Sequence, residues 1–241
     1  MPKSYKLPGP VNKKIGRAMH RHQMLQDGDR VMAAVSGGVD SLVLAWLLDK
    51  WRKKTPIDYQ LQCVHIDFGS DRSRTARAEQ LSTMFADLGM PLLVEQEKPI
   101  VGERNCFICA KQRRHQLFDL AARMNCNKIA FGHHKDDLIE TFFLNMFYSG
   151  NISTMLPNQR VFNGRLHLIR PLAYIEKQEV EAVAAGAGLQ PLTSPCPLSA
   201  NTRRDQVRAM LENIYKDEPE IKGSIFASLA NVRHEYMLND D

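Results

Sequence analysis

No apolar run in this sequence exceeds the seven residues Leu42–Leu48. A helix that crosses a bilayer needs about 20 such residues, so no membrane partner is expected. The first fourteen residues are basic and proline-bearing, with no apolar segment behind them. That is unlike a secretory leader, and the cytoplasm is the expected compartment. Cysteine is scarce: five thiols, an odd number, and none before Cys63. Without an export signal they read as thiols, metal ligands or redox groups rather than disulfides. Internal repeats and low-complexity tracts are missing, which argues against solenoids and collagen-like chains. Two common nucleotide signatures are missing as well. There is no G-x-x-x-x-G-K-[ST] segment, and Gly186-Ala187-Gly188 lacks the third glycine of a dinucleotide fingerprint and closes a helix.

What is present suits a globular chain with a core of its own. With 241 residues and 44% hydrophobic content, the chain can build one large domain and a small appended lobe. Its 32 lysines and arginines against 27 acids leave a formal charge of +5, compatible with a polyanionic partner. After a helical extension over 1–28, apolar strand-like runs alternate with helical stretches. Strands are expected at Arg30–Val35, Gln60–Asp67, Leu92–Glu95, Lys128–Phe131 and Leu166–Ile169. This alternation predicts an α/β fold, a doubly wound, Rossmann-like parallel sheet over residues 29–200, followed by a helical tail over 201–241. In such folds ligands sit beyond the carboxyl ends of the strands. Three notable segments fall there: SGGVDS, HIDFG and GHHKDD.

The first of these, Ser36-Gly37-Gly38-Val39-Asp40-Ser41, joins a strand to a helix expected to begin near Ser41. Two glycines let the backbone curl and bring N–H groups to an anion, and the helix adds the positive end of its dipole. Ser36 and Ser41 supply hydroxyls. Asp40 makes sense in an anion site if Mg²⁺ is shared between it and phosphate. The segment resembles the signature of the PP-loop ATP pyrophosphatases. That resemblance implies ATP bound by Ser36, Gly37, Gly38, Asp40 and Ser41 and cleaved between its α- and β-phosphates. It also places His65, Ile66, Asp67 and Phe68 beside the adenosine.

Cys106-Phe107-Ile108-Cys109 is a C-x-x-C pair at a helix start, and Cys196 lies far downstream between two prolines. Three thiols are one fewer than a closed zinc site wants. They suit a [4Fe–4S] cluster with one open iron, or a redox trio. Cys63 and Cys126 read as core thiols. Lys111, Arg113, Arg114 and His115 follow the pair at once. They are either a solvated face or a path for RNA phosphate. Arg203, Arg204 and Arg208 pose the same alternative near Cys196. Phe142, Phe143, Phe147 and Tyr148 form a stripe of helical spacing expected to lie in a core.

Taken together, SGGVDS, CFICAKQRR, GHHKDDLIETFFLNMFYSG, LIRPLAY and the lone Cys196 resemble the TtcA family, the tRNA 2-thiocytidine synthetases, from Ser36 to about Arg208. Two positions depart from the family pattern: Val39 stands where lysine is usual, and Ser199 where a second downstream cysteine is common. The resemblance implies ATP, Mg²⁺ and a [4Fe–4S] cluster on Cys106, Cys109 and Cys196. It implies tRNA as substrate, with the C2 oxygen of the anticodon-loop cytidine at position 32 adenylated and replaced by sulfur. A cysteine desulfurase or another sulfur donor is then a partner, and a homodimer is left open. Gly132, His133 and Asp137 join the nucleotide set, and Asp136 joins Asp40 at Mg²⁺. Lys111, Arg113, Arg114, Arg203 and Arg204 are the expected RNA contacts. His134, beside His133, is expected to orient phosphate, to shuttle a proton, or simply to pack. Two rival readings remain: a PP-loop enzyme acting on another tRNA base or a small molecule, and an iron–sulfur RNA-binding or redox-sensing protein without turnover.

Overall fold

A computed structural model describes residues 5–67, 71–99, 105–192 and 202–238; of residues 71–75 and of Cys106 it describes the backbone. Cys196, Phe68 and Ser199 lie outside the described residues. The chain divides into two compact units, Met1–His134 with Leu156–Ser199, and Lys135–Met155 with Ala200–Asp241.

The first unit is a sheet with helices. Its strands are β1 (Asp29–Ala34), β2 (Tyr59–Asp67), β3 (Leu92–Gln96), β4 (Lys128–Ala130), β5 (Asn158–Val161) and β6 (Leu166–Ile169). They lie in the order β3-β2-β1-β4-β6-β5, parallel except for β5. The chain winds outward from β1 through β2 to β3, then returns to lay β4 on the other side of β1. The reversal point is therefore between β1 and β4, where a ligand crevice opens in such sheets. The expected parallel sheet is thus corrected at one edge. β5 pairs antiparallel with β6 across a tight turn, with Phe162, Asn163 and Gly164 at φ of 51°, 56° and 81°. Its sequence, NQRV, carries no apolar alternation because an edge strand has little to bury.

Helix α2 (Val39–Arg52) explains the apolar run noted above. Every side chain from Leu42 to Leu48 is buried, so this helix is covered all round rather than along one stripe. α1 (Gly9–Arg21) presents Val11, Ile15, Ala18 and Met19 to the same core at helical spacing. α3 (Asp71–Asp87), α4 (Cys106–Arg123) and α6 (Lys177–Ala187) are its other helices among the described residues. α6 opens on a reciprocal capping box between Glu176 and Glu179 and closes on left-handed Gly188.

Among its described residues the second unit holds α5 (Lys135–Ser149), α7 (Arg203–Asp217), α8 (Ile221–Ser228) and a short 3-10 turn, His234–Tyr236. Ile139, Val207 and Leu211 form its core, with Phe143 packed against them. Glu140, 5% exposed, accepts from Arg204 Nη1 at 3.1 Å and from Arg208 Nε at 2.7 Å. The expected aromatic core stripe is corrected here. Phe147 and Tyr148 are exposed, because the last turn of α5 runs past the end of this small core. Among the described residues, no helix is long and apolar enough to cross a membrane.

Candidate active site

The loop after β1 is held in shape by its own hydroxyls. Ser36 N–H and Ser36 Oγ both approach Ser41 Oγ at 3.1 Å, Gly38 N–H donates to Ser36 Oγ at 3.3 Å, and Ser41 Oγ donates to Gly38 O at 2.8 Å. Gly37 takes φ of 85°, a left-handed conformation that side-chain-bearing residues rarely adopt. α2 starts at Val39, two residues earlier than expected, and no side chain caps its amino end. The first N–H groups of a helix have no intrahelical acceptor. An uncapped start at the mouth of a glycine turn therefore points donors and a positive dipole outward, an arrangement that favours negative charge.

Two strand ends meet this loop. Gly132, just beyond β4, lies so close that a Cβ there would stand 2.8 Å from the carbonyl carbon and oxygen of Asp40. His134 Nε2 lies 3.6 Å from Asp40 Oδ1 and is buried, while His133 is half-buried beside the ring of Phe131. From β2, fully buried His65 donates from Nδ1 to Val35 O at 2.7 Å. Burial lowers its pKa, and the Val35 bond and Asp67 oppose that only in part. The ring is therefore neutral, with Nε2 a bare acceptor. Nε2 faces Asp67 Oδ1 at 3.9 Å, and neither atom has a hydrogen-bond partner among the described residues. Two buried acceptors facing each other call for donors from elsewhere.

Two residues that sequence reasoning missed complete the loop. Arg77 of α3 donates from Nη2 to Ser36 O at 2.7 Å, fixing the turn from outside. Lys177 of α6 donates from Nζ to both carboxylate oxygens of Asp40, at 2.8 and 3.0 Å. Neither lies in a recognisable motif, and Lys177 is 137 positions from its partner. The alternation of strands and helices could have located α6, but not which side chain it turns toward the loop.

The sequence matches the PP-loop domain family over residues 10–214. Across 238 residues it is 33% identical to the tRNA-cytidine(32) 2-sulfurtransferase of Geotalea uraniireducens, covering 95% of this chain and 94% of that one. The chain belongs to the PP-loop family, in its tRNA-cytidine(32) 2-sulfurtransferase branch. The Pelobacter propionicus member of this branch is 35% identical over 237 residues, covering 93% of this chain and 86% of its own. The fold is also that of the U34-tRNA thiolase NcsA from Methanococcus maripaludis, solved with its [4Fe-4S] cluster. That match has a TM-score of 0.76 and 23% identity, covering 96% of this chain and 80% of that one.

In this sulfurtransferase-family chain, Cys106 and Cys109 stand in the first turn of α4, three residues apart and so on one helix face. Asn105 caps that turn, its Oδ1 accepting from Ile108 N–H at 2.9 Å. Cys109 is 7% exposed. Cys63 is buried in the sheet, where desolvation pushes its thiol up to about 12, and burial raises Cys126 as well. Both stay protonated and poor ligands. Lys111 and Arg114 are exposed on α4, while Arg113 turns toward buried Glu97 at 3.8 Å. In the second unit, Arg203 lies over the ring of Tyr148 at 4.5 Å, and Arg204 is engaged by Glu140 and by Asp137 at 3.5 Å. Asp136 pairs with Lys222 at 2.6 Å.

Proposed function

We propose that this chain binds ATP in the Ser36–Ser41 loop and uses it to thiolate an anticodon-loop cytidine of tRNA, replacing the C2 oxygen at position 32 with sulfur. The observation that carries this reading is the uncapped start of α2 at a glycine turn, placed at the sheet's reversal point in a chain of this family. The orphaned acceptors His65 Nε2 and Asp67 Oδ1 fit the other end of the nucleotide, since adenosine offers an amino group and ribose hydroxyls as donors. The loop N–H groups and the α2 dipole hold the pyrophosphate as it departs. Asp40 supplies the hard oxygen ligand that Mg²⁺ requires beside phosphate. The cytidine must leave its stack for C2 to be reached, and exposed Lys111, Arg114 and Arg203 are suited to hold the RNA backbone while it does. Attack of the C2 oxygen on the α-phosphorus transfers AMP to the base and releases pyrophosphate; sulfur at the sulfide level then adds to C2, and AMP leaves with the original C2 oxygen.

The start of α4 suits an iron–sulfur group: two cysteines three positions apart in its first turn, at the positive end of the dipole. Cys106 and Cys109, with Cys196 as third ligand, would hold a [4Fe–4S] cluster, which when bound would supply sulfur at the sulfide level; a donor such as a cysteine desulfurase, whose sulfur is at the persulfide level, would act together with a two-electron reductant. Two measurements test the proposal. Protein prepared without oxygen should carry about four irons per chain. Nucleosides of tRNA from cells lacking the gene should lose 2-thiocytidine. Colourless zinc-bearing protein, or unchanged thiolation, would overturn it.

A further inference from the structure

We propose that Lys177 is a nucleotide-binding residue, its ammonium holding a phosphate oxygen at the pyrophosphate end of ATP while it orients the carboxylate of Asp40. This deepens the reading of Ser36–Ser41 as an ATP site and rests on it.

The loop itself carries no cation; its one charged side chain, Asp40, is negative. A polyphosphate seated against a carboxylate is repelled unless positive charge stands within a few ångströms. Lys177 stands there, bonded to both oxygens of Asp40. Its position is unfavourable for α6. It is the first residue of that helix, at the positive end of the dipole, where acidic side chains are preferred and where Glu176 and Glu179 already form a capping box. Helix stability therefore does not account for a lysine here, whereas a partner in the loop does. The side chain is also accessible. Lys177 is 36% exposed and Asp40 31%, so a ligand can reach both. Arg77, by contrast, is buried and spends a donor on the backbone of Ser36. With a lysine as a mobile point charge and the carboxylate free to take Mg²⁺, one ion pair can become two: ammonium to phosphate, and Asp40 to the metal.

The test compares binding of ATP, pyrophosphate and AMP, each with Mg²⁺, to wild type, Lys177→Met, Lys177→Arg and the Asp40→Asn/Lys177→Met pair, with thermal melting as the folding control. Lys177→Met should weaken ATP and pyrophosphate about 10- to 100-fold, as expected for a lost charge-assisted contact, and change AMP less than about twofold. Lys177→Arg should recover most of the loss. If Lys177 only neutralises Asp40, the double variant will bind pyrophosphate as wild type does, and the proposal is overturned. Wild-type pyrophosphate affinity in Lys177→Met overturns it too. Failure of wild type to bind ATP at all would instead remove the loop assignment on which this inference rests.

Discussion

Gly132 lies against the backbone of Asp40 so closely that the smallest side chain would intrude on it. The end of β4 thereby fixes the first turn of α2, and the Ser36–Ser41 loop is a joint product of two strand ends rather than of the SGGVDS segment alone. The arrangement follows from topology, because β1 and β4 are neighbours although nearly a hundred residues separate them.

Gly132→Ala should consequently damage the loop without unfolding the sheet. The added Cβ meets backbone, which cannot rotate away, and overpacking of this kind costs about 1–3 kcal/mol. We expect ATP affinity to fall by about tenfold or more, with the far-ultraviolet circular dichroism unchanged. Isothermal titration of ATP into the variant checks this; wild-type affinity would show that the loop adjusts freely.

His65 links stability to acid. Its pKa is lowered in the folded state by burial, so the unfolded chain binds the proton more readily. The stabilisation is complete above the unfolded value, about 6.5, and is lost as pH falls through the depressed folded value. His65→Asn can retain the bond to Val35 O and removes the titration. The drop in melting temperature between pH 8 and pH 5 should be smaller in the variant than in wild type. His22 and His167, also lowered mainly by burial, leave part of the acid sensitivity in place. An identical drop in both proteins would contradict the argument.

Arg203 and Arg204 are neighbours in sequence with different expected roles. Arg203 is exposed and rests on Tyr148, whereas Arg204 is tied to Glu140 and Asp137. Arg203→Ala should weaken tRNA binding and reduce the salt slope by about one unit while leaving melting unchanged. Arg204→Ala should lower the melting temperature first, because Glu140 loses one of its two cations. Filter binding across a salt series, paired with melting curves, separates the two; reversed phenotypes would refute the assignment.

The legible parts of this molecule were those whose signal is local. The β1–loop–α2 segment could be placed within two residues because glycine, serine and the apolar run each constrain the backbone where they stand. The β5–β6 hairpin was missed as a hairpin even though Asn163-Gly164 marks a tight turn, because β5 itself has no apolar pattern. Lys177 and Arg77 were invisible for a different reason. A lysine near a helix start and an arginine inside a helix look like solvated surface until the fold shows what they face. Glu140 was hidden likewise, since its burial becomes evident only when α7 brings two arginines to it.

The most direct test of the account follows one turnover. Anaerobically prepared protein, tRNA, ATP with Mg²⁺ and a sulfide source are mixed, and released pyrophosphate, AMP and 2-thiocytidine are quantified together. The three should appear in equal amounts, and pyrophosphate release should depend on tRNA. ADP with inorganic phosphate in place of AMP and pyrophosphate, or pyrophosphate release with no thiolated cytidine, would contradict the proposed reaction.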